Sequence, residues 1–223
     1  DGGLLKNPVT VKEILVAPGE RLDVLVNFSS STIGTEIYLL SKEFGNGGNA
    51  QGKQGFKIMK FKVTVSSAIT FTVPTNLSAI TAIAASAVRT RVFEISNAME
   101  HHGVPMNNGM QMRHRINGKL FDSSRIDETV AANTNEIWVF DNSMGDEPHP
   151  MHLHGVFFQV LQRSGGRDNL IASENGWKDT VLVMPGETVK VLVPFENNTG
   201  KFVFHCHNLE HEDDGMMLQY QLS

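Results

Sequence analysis

Residues 15–28 read LVAPGERLDVLVNF, and residues 182–195 read LVMPGETVKVLVPF. Nine of the fourteen positions are identical between the two stretches. In each copy, apolar residues surround a Pro-Gly pair, which predicts a strand, a tight turn and a second alternating strand. The simplest explanation is a duplicated β-domain, and the alternative is two unrelated strand–turn–strand units.

The remainder of the chain also has the pattern of short strands. We predict further strands at residues 9–16, 56–65, 91–96, 136–142, 157–162 and 188–195. No stretch has the pattern of a long amphipathic helix. Many short strands with Gly/Pro turns predict an all-β fold, a sandwich or barrel.

A change in composition divides the chain. Residues 67–90 are poor in charge and rich in Ser, Thr and Ala, which is typical of an interdomain linker. We therefore predict a partial β-domain over residues 1–66 and a complete one over residues 91–223. The chain opens on a turn and a strand pattern with no targeting signal, so we expect it to begin inside a domain.

Composition limits the class of protein. The 223 residues are 40% hydrophobic and 19% charged, as expected for a folded protein with a core. The net charge is -5 and no Lys/Arg cluster is present, which argues against nucleic acid as a partner. No run of eighteen apolar residues occurs, so we predict no membrane span.

Six of the nine histidines lie in two short tracts, HPMHLHG at 149–155 and HCHNLEH at 205–211. Because side chains alternate across a strand, His205 and His207 share one face and Cys206 points to the other. Parity, with His211 and Met216 added from the loop that follows the strand, predicts two sets of ligands. One set is His152, His154, His205 and His207, and the other is His149, Cys206, His211 and Met216.

The second set has the chemistry of a blue-copper site, in which two imidazoles and a thiolate form a trigonal array with a weak axial Met. Zinc more often takes four strong ligands at short spacing. The all-imidazole set suits copper, iron or zinc. Packing alone does not explain so many clustered imidazoles, because each buried one needs a partner.

At these tracts the sequence resembles the multicopper oxidases, whose paired signatures stand complete in EPHPMHLHG at 147–155 and HCHNLEHEDDGMM at 205–217. Together with GWKDTV at 176–181, they are most similar to bacterial laccases of the spore-coat and copper-efflux types and to bilirubin oxidases. PGERLDVLV at 18–26 resembles the end of the middle cupredoxin domain, and INGKLFD at 116–122 the start of the third. The resemblance implies cupredoxin-like Greek-key domains, with no copper in the middle one.

The resemblance also implies a role for each ligand. It assigns the type 1 copper to His149, Cys206, His211 and Met216, the type 2 copper to His152, and the type 3 pair to His154, His205 and His207. Glu212 is implied as a proton donor for oxygen reduction, and the alternative is an acid in a solvated loop. Asp146 and Asp179 are candidates to orient His149, or else turn and strand-end residues.

The implied activity is one-electron oxidation of a phenolic, aromatic or metal-ion donor at type 1 copper, coupled to reduction of O2 to water. The alternative is a single-site blue-copper electron carrier, which would have no use for the second set of histidines. A Met/His cluster precedes residue 116 and would suit Cu(I), or else forms a connecting loop; it contains Met99, His101, His102, Met106, Met110, Met112 and His114.

The trinuclear cluster of this family needs eight histidines, four of them from two HxH motifs in the first domain. This chain has only two HxH pairs, 152–154 and 205–207, and both are already assigned. We therefore expect the others from an N-terminal fragment of the same oxidase, whether the enzyme is nicked or the chain truncated. The resemblance implies a periplasmic or extracellular location, with the signal upstream of this chain and the spore coat as one possibility.

Overall fold

The structure is a computed structural model that describes residues 1–44, 52–83, 86–101, 110–196 and 198–223. The described residues form twelve strands: β1 (Glu36–Ser41), β2 (Phe56–Lys62), β3 (Arg89–His101), β4 (Met110–Ile116), β5 (Glu128–Val130), β6 (Thr134–Asp141), β7 (His149–Leu153), β8 (Gln159–Ser164), β9 (Thr180–Val183), β10 (Thr188–Phe195), β11 (Gly200–Cys206) and β12 (Met217–Leu222). Their helical elements are a 3-10 turn, Ala172–Glu174, and a short helix α1, Leu209–Asp213. No helix in these ranges is long and apolar enough to cross a membrane.

From β3 onward the strands form two five-stranded sheets. Their orders are β4-β3-β6-β10-β8 and β5-β12-β11-β7-β9. The β3–β6 and β5–β12 pairs are parallel and the others are antiparallel. Several neighbouring strands, such as β5 and β12, are far apart in sequence. This Greek-key arrangement confirms the all-β prediction.

An aromatic cluster fills the space between the sheets. Phe93 of β3 lies with its ring centroid 4.7 Å from both Trp138 of β6 and Phe204 of β11. Trp138 also meets Tyr220 of β12 edge-on at 5.6 Å. All four side chains are fully buried. Buried aromatic rings contribute large apolar areas, and these join the two sheets directly behind the strands that carry the histidine tracts.

The two copies of the sequence repeat form the same turn. Glu20 N–H donates to the Ala17 carbonyl at 3.1 Å, and the Glu20 carboxylate accepts the Ala17 N–H at 2.8 Å. In the second copy Glu187 N–H donates to the Met184 carbonyl at 3.1 Å, and the Glu187 carboxylate accepts the Met184 N–H at 2.9 Å. This shared hydrogen-bond pattern at identical sequence positions favours duplication over two unrelated units.

The strands of the first copy are not formed. The prediction of strands at 9–16 and on both sides of the first turn is wrong for this structure, because residues 9–16 and 20–28 do not form strands. A strand exists only by hydrogen bonding to a neighbour. None of the described residues forms a sheet with this segment. In the second copy β9 pairs with β7 in one large sheet, and β10 pairs with β6 in the other.

The first copy packs directly on the second. Leu15 and Ala17 form a small apolar cluster with Leu182 and Met184, which occupy the matching positions of the second copy. Residues 63–88, which include the predicted linker except for its last two residues, contain no strand among those described, and residues 89 and 90 already belong to β3. They run beside the start of the chain, where Leu77 N–H donates to the Lys6 carbonyl at 2.9 Å. The turn at residues 17–20 is thereby held against the larger domain.

Candidate metal centre

Strands β7 and β11 bring the two histidine tracts together. They are antiparallel neighbours, with His205 opposite His152 and Cys206 opposite Met151. Directly opposed residues of an antiparallel pair point to the same face. Alternation along each strand then places His152 and His205 on one face and Cys206 on the other, toward the core.

Cys206 lies in a triangle with two imidazoles. Its Sγ is 3.6 Å from Nδ1 of His149 and 3.5 Å from Nδ1 of His211, and those two nitrogens are 3.2 Å apart. All three side chains are buried. His149 comes from the start of β7 and His211 from α1, so three separate elements converge on one point.

Burial sets the protonation of this triangle. It lowers the pKa of His149 well below its ordinary value, and the neighbouring His211 lowers it further. Burial, followed by the neighbouring His114, lowers the pKa of His211 to about 4. Burial also raises the pKa of the Cys206 thiol. At neutral pH both imidazoles are therefore neutral and able to act as metal ligands, and metal binding would displace the thiol proton.

Met216 is tied to the same place by its main chain. Its N–H donates to the His211 carbonyl at 2.9 Å, and its carbonyl accepts the Cys206 N–H at 3.1 Å. Its side chain is fully buried in the same core cluster as Cys206. The tight connection from α1 into β12 therefore holds the fourth predicted ligand beside the triangle.

On the opposite face the four remaining histidines gather. Nε2 of His154 and Nε2 of His205 are only 3.1 Å apart. The ring of His152 lies 4.7 Å from that of His154 and 5.5 Å from that of His207, measured between centroids. His152, His154 and His205 each offer a ring nitrogen within 4.8 Å of the others.

Main-chain carbonyls orient two of these rings. Nδ1 of His152 lies 2.9 Å from the Asp179 carbonyl oxygen, and Nδ1 of His205 lies 2.9 Å from the Cys206 carbonyl oxygen. A carbonyl only accepts, so each Nδ1 carries the proton and each Nε2 is left with a free lone pair. Burial lowers the pKa of His152 to about 4, so this imidazole is neutral at pH 7.

Glu212 lies beside the histidine face. Its Oε2 is 3.6 Å from Nδ1 of His205, and a third of the side chain is exposed to solvent. The carboxylate thus lies beside the buried imidazole of His205 and also reaches the surface. The proton-donor role of Glu212 stays a prediction.

The structure also brings in two residues that the sequence reasoning did not assign to this centre. Oε2 of Glu147 is 3.1 Å from Nε2 of His211. The ring of His114 stacks on that of His211 with centroids 3.8 Å apart. No local signal identifies either contact, because parity with the buried Ile116 indicates only that His114 points inward, and Glu147 lies outside the strands.

The two acids proposed to orient His149 make other contacts in the structure. Asp146 accepts a hydrogen bond from the Asn97 side chain at 2.9 Å. The carboxylate of Asp179 is bound by Arg21, and Asp179 orients His152 through its main chain rather than His149.

The Met/His cluster is described only in part. His102 and Met106 lie outside the described residues, and so do the side chains of His101 and Met110. Met99 and Met112 face each other across β3 and β4 and are partly exposed. His114 points inward, so of the described members it alone reaches the Cys206 triangle.

The sandwich of residues 89–223 is a cupredoxin-like domain. A family model described as multicopper oxidase matches residues 90–223, so the chain belongs to the multicopper oxidase family. Membership in this family implies copper as the metal. The match begins one residue after the start of β3, which is where the sandwich begins.

Several known proteins are similar over nearly the whole chain. A multicopper oxidase of Staphylococcus haemolyticus is 31% identical over 100% of this chain and 42% of its own length. A laccase of Bacillus subtilis is 29% identical over 97% of this chain and 44% of its own. The crystal structure of a multicopper oxidase from Aquifex aeolicus, McoA, superposes with a TM-score of 0.83 at 34% identity, covering 100% of this chain and 48% of that one. The chain thus spans about half the length of these relatives.

Proposed function

We propose that this chain supplies the type 1 copper site and half of the trinuclear copper site of a laccase-like oxidase. The observation that carries the proposal is the pair of donor sets on opposite faces of one strand. His205 and His207 face one way and Cys206 the other, so the two sets are joined covalently through adjacent residues. This is the shortest connection that a strand can make between two sites.

The triangle of Cys206, His149 and His211 fits a trigonal metal ion. With metal–nitrogen and metal–sulfur bonds of about 2.0 and about 2.3 Å, a central ion separates its ligands by about 3.5 to 3.7 Å. The observed separations of 3.2 to 3.6 Å are close to this. Neutral imidazoles, a thiolate and a nearby Met form the donor set that favours blue copper.

The histidine face fits the remaining half-site. We assign His152 to the type 2 copper, and His154, His205 and His207 to the type 3 pair. The 3.1 Å between Nε2 of His154 and Nε2 of His205 suits two ligands of one ion. Copper, when bound, supplies one-electron redox chemistry that couples oxidation of the donor to reduction of O2 to water.

A second polypeptide segment is part of the proposal. The chain contains two HxH pairs where the family cluster uses four, so the other histidines come from an N-terminal fragment of the same oxidase. Exposed apolar residues of the first repeat support such a partner, because Val24, Leu25 and Val26 are each more than half exposed. In this scheme residues 1–66 form the C-terminal part of the middle domain. Residues 67–90 link the two domains, and residues 91–223 form the third domain.

We propose that the electron donors are phenolic or aromatic compounds or metal ions. We also propose that the protein is exported and lies in the periplasm, outside the cell or in a spore coat. A single-site electron carrier is the alternative, and it offers no reason for four imidazoles on the opposite face.

The first experiment is to purify the folded protein and identify its polypeptides by denaturing mass spectrometry. We expect a second segment with two HxH motifs, and four coppers and reductant-dependent oxygen uptake in the complex. A complete, copper-loaded complex that consumes no oxygen would contradict the oxidase. One blue copper per molecule, with none on the histidine face, would instead favour the electron carrier.

Replacing Glu212 with glutamine is expected to slow oxygen uptake by about 10²- to 10⁴-fold. The amide has the size of the acid but cannot deliver a proton beside His205. The blue absorbance is expected to stay, because Glu212 lies on the histidine face. Glu210→Gln, on the same helix, is the matched control and is expected to turn over normally. Equal rates for the two variants would refute the proton-donor role.

A further inference from the structure

The first Pro-Gly turn lies against the histidine face. Gly19 has φ of 83°, in the left-handed region that favours glycine. A Cβ built on Gly19 would lie 2.6 Å from Cδ2 and 2.9 Å from Cγ of His207. Such a contact is far inside van der Waals distance, so a side chain at residue 19 would displace the imidazole. The ring of His207 therefore occupies space that only a glycine leaves open.

Arg21, two residues further along, binds the residue that orients His152. Its Nη1 and Nη2 donate to Oδ1 and Oδ2 of Asp179 at 2.6 and 2.7 Å, a bidentate pair. The main-chain carbonyl of the same Asp179 accepts the Nδ1–H of His152 at 2.9 Å. Arg21 thus fixes the peptide that sets the direction of the His152 Nε2 lone pair.

Further contacts make this turn a rigid support. Arg21 Nη1 also donates to the Gly19 carbonyl at 2.8 Å. The carboxylate of Glu20 lies 3.1 Å from Nζ of Lys178, a fully buried lysine next to Asp179 in sequence. Residues 19, 20 and 21 therefore lie against His207, Lys178 and Asp179 respectively.

We propose that residues 19–21 are a positioning element for the histidine half-site, with Gly19 making room for His207 and Arg21 fixing His152 through Asp179. This inference rests on the proposed function, since it concerns the ligands assigned to the type 2 and type 3 coppers. It gives the segment before the larger domain a role in the metal centre although it contributes no ligand. Residues that orient metal ligands commonly affect metal affinity by about 10- to 100-fold.

The second copy of the repeat provides a matched control. Gly186 is the equivalent of Gly19 and has nearly the same φ of 77°, but a Cβ added to it would meet no atom within 4 Å. Gly19→Ala and Gly186→Ala therefore carry the same backbone strain, and only the first disturbs a histidine. Copper titration of the complete protein, with the blue absorbance followed separately, measures both sites.

For Gly19→Ala we expect about 10- to 100-fold weaker copper binding on the histidine face, with unchanged blue absorbance. Gly186→Ala is expected to match the wild type at both sites. Equal copper affinities for the two variants would overturn the proposal. A wild type that binds no copper on this face would instead refute the proposed function, so the two failures are distinguishable.

Arg21→Met tests the second half of the proposal without a steric clash and without copper. Methionine keeps an unbranched apolar stem but loses the two-point contact with Asp179. In ¹H–¹⁵N spectra of the imidazoles, we expect His152 to lose its single Nδ1–H tautomer. Asp179→Asn keeps the main-chain carbonyl that accepts from His152, and we expect it to have the same effect on the His152 tautomer. The double variant is expected to have no larger effect than either single variant. An unchanged His152 in both variants would overturn the role of Arg21.

Discussion

Replacing Cys206 with serine is expected to abolish the blue colour and the oxidation of electron donors completely. Only a thiolate gives the strong copper–sulfur bonding of a blue site, and an alcohol in the same position does not replace it. Visible absorption, electron paramagnetic resonance and donor oxidation measure the loss. The histidine face is expected to keep its copper, because Cys206 points to the other side of β11.

Met151→Leu is the matched control for this prediction. Met151 lies directly opposite Cys206 in the ladder and is equally buried, but its side chain is not among the proposed ligands. A swap of similar volume costs less than about 1.5 kcal/mol in a core, so the colour should remain. Blue colour in Cys206→Ser, or its loss in Met151→Leu, would contradict the assignment.

Replacing His207 with alanine is expected to leave the blue colour intact and to stop oxygen uptake. His207 and Cys206 are adjacent in sequence, but their side chains lie on opposite faces, so the loss of one imidazole removes a ligand from the histidine half-site alone. Absorbance of the oxidised protein and oxygen consumption with excess reductant separate the two effects.

For His211→Ala the blue colour is expected to fade, because the triangle around Cys206 loses an imidazole. The pair of variants therefore tests the two-face arrangement from both sides. Normal oxygen uptake in His207→Ala, or loss of colour there, would refute it. This arrangement is also what separates an oxidase from a simple electron carrier, because only an oxidase needs both faces.

Strand alternation is enough to sort six of the eight proposed ligands into two sets, and His211 and Met216 come from the segment after β11. The spacing in His205–Cys206–His207 puts its members on two faces of any strand, and His149 differs in parity from His152 and His154. The structure brings each of these groups together. Parity is a local property of the backbone, and for that reason it can be read from sequence.

The residues that support the ligands could not be found in the same way. Glu147 beside His211, His114 stacked on the same ring, and Arg21 bound to Asp179 are contacts between distant parts of the chain. The sequence predicts Asp146 beside His149, whereas in the structure its neighbour Glu147 lies beside His211. Which of two adjacent acids reaches a ring depends on the path of the loop, and nothing in the local pattern specifies that path.

The repeat separates what the sequence by itself determined from what only the tertiary structure decided. The Pro-Gly pair and the following glutamate determine the turn, and the turn has the same hydrogen bonds in both copies. The tripeptide Val-Leu-Val that follows is identical in the two copies, yet residues 191–193 are buried in β10 and residues 24–26 are exposed. A turn is closed by atoms three residues apart, whereas a strand needs a partner from elsewhere in the chain. β10 has β6 and β8 as partners, and for residues 24–26 the described residues provide none.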